Sequence, residues 1–217
     1  MTEPAAPTAG AGFQYSSARH EADTAVAGMW LFLASEMLFF GGVVFVWLVL
    51  HLGHPRGFAL ATAHTNLVIG SINTALLLTS SFVMALAVRD GQRGDNRAVT
   101  RACLLTLLLG LAFLGLKGLE WFLDFREHLF PGALFGLHGP DQGGAQMFYA
   151  WYFVSTALHG VHMLGGMGLV AWVAWRASRL EFSRHYSTPV EVVGLLWSFI
   201  DLVWLVLYPL IYLLARP

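Results

Sequence analysis

Five long apolar runs, separated by short polar breaks, restrict this 217-residue chain to one solvent. They fall at about 27–51, 67–88, 100–127, 146–176 and 190–214. Each reaches the ~20 residues that a helix needs to cross roughly 30 Å of hydrocarbon. Backbone N–H and C=O groups in lipid find no water to pair with, so such runs must be helices that satisfy their own hydrogen bonds. The two-residue alternation of a half-buried strand is absent. Composition agrees, with 57% of residues hydrophobic and 12% charged, about half the charged share of soluble domains. The expected fold is therefore all-α, a polytopic membrane protein with five transmembrane helices. A net charge of −1 leaves no footprint for nucleic acid. The single cysteine, Cys103, excludes an internal disulfide framework and a multi-cysteine metal site.

The breaks are chemical. His54-Pro55-Arg56-Gly57 ends the first run, the charged stretch Arg89 to Asp95 ends the second, and Pro131-Gly132 stops the third. Ser183 to Pro189 separates the last two. Residues 1–23 read as a mobile tail, without the basic stretch and apolar core of a secretory signal, and residues 24–217 as one membrane domain. Arginines set the orientation. Arg19, Arg89, Arg93, Arg97, Arg101, Arg176, Arg179 and Arg184 fall on one side, against Arg56, Arg126 and Arg216 on the other. The N-terminus is expected in the cytoplasm and the C-terminus outside.

A charge at mid-bilayer costs roughly 2.5–3.5 kcal/mol on insertion scales, so each one needs a partner or a purpose. Lys117 and Glu120, three apart on the third span, can pair, and Asp124 and His128 continue that face. The third run is longer than the bilayer requires, so these are expected as outer-side ion pairs on a solvated helix end. His159 and His162, also three apart and expected to point the same way, could ligate a metal or a heme. No further ligand lies in that helix, and histidines packed between helices are the commoner arrangement. Glu36 lies roughly 12–14 Å into the first span at a rise of ~1.5 Å per residue. A carboxyl at that depth must be protonated or held by a hydrogen bond. His159 reaches a similar depth and Asp201 lies within about a turn. These make a buried Glu–His–Asp layer conceivable, as a proton relay or as interhelical glue. Ser35, Thr79, Ser80, Ser81, Ser155 and Thr156 offer small polar contacts. Gly160, Gly165, Gly166 and Gly168 offer a smooth strip for close approach.

The ordered motifs of these spans resemble subunit III of the heme–copper oxidases, in the five-span bacterial form of cytochrome c oxidase subunit III. The first span carries the run from Gly28-Met29-Trp30 through Ser35-Glu36 to Phe39-Phe40, and the second Asn73 to Ser81. The third carries Phe113-Leu114-Gly115-Leu116-Lys117-Gly118-Leu119-Glu120-Trp121, and the fourth Thr156-Ala157-Leu158-His159-Gly160-Val161-His162. The fifth carries Val190-Glu191 and Phe199-Ile200-Asp201-Leu202-Val203-Trp204. Two positions depart from the family pattern: Ser198 stands where it has a histidine, and Ala157 where it has a glycine.

The resemblance implies two packed helix groups separated by a lipid-filled cleft, docked on the catalytic subunit I. It implies no heme, copper or catalytic residue in this chain. Hemes and copper belong to subunits I and II, and oxygen is reduced in subunit I with electrons entering through subunit II. The chain is then expected in the bacterial plasma (inner) membrane, supporting proton uptake, lipid binding and the stability of subunit I, with bound phospholipids. Glu36 matches the family's buried acid. Trp30, Trp121, Trp197 and Glu191 become candidate lipid or interface contacts. Rival readings are the equivalent subunit of a quinol oxidase or nitric oxide reductase, a stand-alone proton channel on Glu36, His159 and Asp201, and a heme protein using His159 or His162.

Overall fold

A computed structural model describes residues 18–184 and 186–216. Among them are six helices: α1 (Ala18–Gly53), α2 (Pro55–His64), α3 (Leu67–Gln92), α4 (Asn96–Arg126), α5 (Gln142–Ser178) and α6 (Thr188–Tyr212). No strand is present among the described residues; an isolated bridge joins Ser183 to Tyr186. All but α2 are long and apolar enough to cross a bilayer. The five expected spans are therefore helices, and their ends lie within about one turn of the expected bounds except at the start of α1. α1 begins at Ala18, inside the segment 1–23 read as a tail, and residues 1–17 of that segment lie outside the described ones.

Local chemistry explains the boundaries. Asn66 caps α3 by accepting the Ile69 N–H at 3.1 Å, and Asp95 caps α4 by accepting the Ala98 N–H at 3.0 Å. α2 was not expected, because Pro55 reads as a stop. It occupies the first helical position, where its missing N–H has no intrahelical partner to lose. The helix interrupted at His54 thus restarts at once as a ten-residue helix.

Helices α3 to α6 form a ring. α3 packs on α4 and α6, and α5 packs on α4 and α6. α1 leans on α5 and α6 from outside, with α2 wedged at one end against α5. All the spans thus make one connected bundle, and an apolar groove lined by Phe40, Val44, Phe199 and Val203 opens between α1 and α6. The helices differ sharply in role. In its most apolar stretch α6 is 61% buried, whereas α1 is 17% buried. α6 is the hub, and α1 turns Leu31, Leu38, Phe45 and Leu52 outward.

Close approach is confined to particular glycines. A Cβ at Gly166 would lie 2.7 Å from Ile200 Cδ1, and one at Gly70 would lie 2.7 Å from the Tyr212 ring. Gly160, Gly165 and Gly168 have nothing within 4 Å. The expected strip on α5 is therefore one contact, at Gly166, and three glycines that face away from the bundle. Of the small hydroxyls, Ser35, Thr79, Ser155 and Thr156 bond to carbonyls of their own helices. Ser80 links two helices, accepting from Trp197 Nε1 at 3.0 Å.

Candidate functional site

Glu36 is the acid that the first span carries deepest, and α5 supplies its partner. His162 Nε2 lies 3.0 Å from Glu36 Oε2, and His162 Nδ1 lies 2.8 Å from the Leu158 carbonyl. A carbonyl accepts only, so Nδ1 carries a proton. One proton then sits on the Nε2–Oε2 line, held either by the carboxyl or by the imidazole. The pair is half-buried, its side chains 18% and 25% exposed, and is walled by Phe39 and Phe40. It joins α1 to α5 together with the bond from Trp151 Nε1 to the Val43 carbonyl, at 2.8 Å.

His159 and Asp201 do not join it. Three residues along a helix turn a side chain by about 300°, so His162 faces α1 while His159 faces the ring interior. There it packs edge-on against Phe113 and tilted against Trp204, at centroid distances of 5.6 and 5.3 Å. Neither ring nitrogen of His159 has a hydrogen-bond partner among the described residues. The Asp201 carboxyl is likewise buried without a hydrogen bond of good geometry, its polar neighbour being the Ser81 hydroxyl. The Glu–His–Asp layer is thus replaced by a Glu36–His162 pair and two separate buried groups.

The Lys117–Glu120 pair forms at 2.9 Å, but on no solvated helix end. Both residues are buried, along with Asp124. The ammonium has three N–H groups, and the ring supplies three acceptors: Glu120 Oε2 at 2.9 Å, Tyr152 Oη at 3.0 Å and Tyr212 Oη at 3.1 Å. The phenols pass the bonding on. Tyr212 donates to Glu120 Oε1 at 2.7 Å, and Tyr152 donates to Asp124 Oδ2 at 3.0 Å. The Lys117 cation also stands 4.4 Å from the Tyr152 ring centroid and 5.3 Å from that of Trp204. Every polar proton in the cluster has an acceptor, which is what permits a charge here at all. His128 stays outside this face: α4 ends at Arg126, and His128 takes a left-handed turn at φ 56 and is exposed.

The candidate contact residues divide. Trp30 is exposed on α1, and Trp121 is partly buried against Phe153. Trp197 is fully buried on Ser80 and so reaches no lipid. Glu191 takes bonds from Gln92 and from Ser187, tying the start of α6 to the end of α3. Ser198 and Ala157, at the two departures, are exposed and partly buried. No three His, Cys, Asp or Glu residues converge on a metal-sized site among the described residues.

The model of one protein family, cytochrome c oxidase subunit III, matches residues 13–216 of this chain. The chain belongs to that family. A relative from Thermostichus vulcanus called cytochrome c oxidase subunit 3 is 29% identical over 95% of this chain and 96% of its own length. One of the same name from Synechocystis sp. is 30% identical, over 88% of this chain and 76% of its own length. A quinol oxidase subunit 3 from Bacillus spizizenii is 27% identical over 88% and 87%. As a member of the subunit III family, the chain is a multi-pass subunit of a terminal oxidase complex. Sequence reasoning named every charged member of the two clusters. It missed Tyr152 and Tyr212, whose hydroxyls had no signal beyond their place near the ends of two apolar runs.

Proposed function

We propose that this chain serves as the non-redox subunit of a proton-pumping terminal oxidase in the bacterial plasma membrane, oxidising cytochrome c and reducing O2 to water. In this reading it packs against subunit I, with subunit II in the same complex, and carries phospholipids on its apolar faces. The hemes and copper belong to those neighbours. The N-terminus lies in the cytoplasm and the C-terminus outside. The Glu36–His162 pair carries the reading most directly: it is a carboxyl–imidazole hydrogen bond at mid-span, on the one spanning helix among the described residues that stands outside the ring and keeps most of its apolar surface uncovered. Such a pair can hold the polarity of that flank constant while a neighbouring subunit takes up protons.

The test is Glu36→Gln in the assembled oxidase. The amide can still donate to His162 Nε2, so the bundle and the heme spectra of the complex should be unchanged, and oxygen consumption should persist with at most a moderate fall. Complete loss of turnover in a fully assembled complex would make Glu36 an obligatory carrier and defeat this account. The quinol oxidase relative supports a second reading, in which the same subunit serves a quinol-fed complex. The purified complex should oxidise one donor, reduced cytochrome c or a quinol, and not the other.

A further inference from the structure

Two polar side chains inside the ring stand without hydrogen-bond partners among the described residues. His159 on α5 and Asn73 on α3 are both buried, and neither ring nitrogen of the one nor either amide atom of the other is bonded. They lie at one level of the bundle. Thr74, next to Asn73, accepts the Trp204 Nε1 bond at 3.1 Å, and the Trp204 ring lies 5.3 Å from that of His159. α3 and α5 occupy opposite corners of the ring, each packed on α4 and α6 but not on the other. Side chains alone therefore span the diagonal here.

A neutral imidazole has one N–H to give and one lone pair to fill. The protons around His159 are already committed. Lys117 gives its three to Glu120, Tyr152 and Tyr212, and those phenols give theirs to Asp124 and Glu120. Thr74 donates to the Gly70 carbonyl, and Ser155 and Thr156 donate to the Tyr152 carbonyl. Asn73 has two N–H groups and an oxygen to offer, yet no direct bond joins it to His159. Buried polar groups are almost always hydrogen-bonded, and where no protein group reaches, an enclosed water serves. One histidine and one amide are too few to hold a metal. A molecule that both gives and accepts hydrogen bonds, and is small enough to sit among packed rings, fits the pair.

We propose that the ring binds ordered water at this level, bridging the Asn73 amide to the His159 imidazole and tying α3 to α5 across the diagonal. The saturated Lys117 network bounds the site on one side. On the other, Trp197 and Met167 close on Gly110, where a Cβ would lie 3.2 and 3.3 Å from them. The site rests on the packing of this chain and on no electron donor, so its failure would leave the oxidase reading intact.

The first measurement needs no variant. A density map that resolves solvent, of the purified chain with whatever subunits accompany it, should show a water within about 2.7–3.2 Å of a His159 ring nitrogen and another, or the same one, equally close to the Asn73 amide. A direct Asn73–His159 bond, or a gap without density, overturns the proposal. The second uses substitutions of similar volume in the full chain in detergent. Asn73→Leu and His159→Phe each strand the water and the opposite group, so each should lower the melting temperature. The double variant should melt no lower than the less stable single one, because nothing polar is then left to satisfy. Losses that add, as they do for independent sites, refute the bridge.

Discussion

A buried lysine is tolerated only while each of its protons has somewhere to go, and Lys117 shows how narrow that condition is. Its three acceptors come from three helices, α4, α5 and α6. Removing the cation leaves Glu120 charged, buried and half-partnered, which typically costs about 3–5 kcal/mol. Lys117→Met should therefore sharply lower the thermal stability of the subunit in detergent. Adding Glu120→Gln should recover much of that loss, because the carboxylate that Lys117 paired with directly is then neutral. A single variant as stable as the double one would show that the network contributes little. The pairing of Lys117 with Glu120 was legible from their three-residue spacing. Their burial was not, because it depends on Tyr152 and Tyr212, which are 35 and 95 residues from Lys117 along the chain. The histidines failed for a related reason: a three-residue step reads as one face, yet the 60° that remains between them separates the ring interior from α1.

At the scale of elements, helix contacts in lipid are set by where backbones can approach rather than by apolar area, since the surrounding solvent is equally apolar. Gly165 and Gly166 are adjacent on α5, and only Gly166 meets a neighbour. Gly166→Val should destabilise by about 1–3 kcal/mol, the usual cost of overpacking a close contact, whereas Gly165→Val should stay within about 0.5 kcal/mol, as surface changes usually do. Thermal melts of the two variants in one detergent would decide; similar losses would mean that helix propensity, not packing, governs both. The spans themselves were readable because twenty apolar residues admit one structure in hydrocarbon. α2 was not, because a proline that stops one helix can equally begin the next.

For the whole molecule, an odd number of crossings places the two termini on opposite faces, and the orientation proposed from the arginine asymmetry has the N-terminus inside. Reporter fusions at each end should be active in the cytoplasm for the N-terminus and outside for the C-terminus; the reverse pattern would contradict the orientation. Burial is graded across the bundle, from α6 at the hub to α1 at the edge. The uncovered faces of α1 and of the α5 glycines are surfaces that the described residues leave open. A redox-active neighbour against one of them is the central claim, and copurification tests it most directly. A tagged chain, extracted from its own membranes in mild detergent, should bring down a heme-bearing oxidase subunit, and after stripping of its partners should itself show no Soret band. A chain that emerges alone from intact membranes, or that keeps its own heme absorption once isolated, would contradict the account.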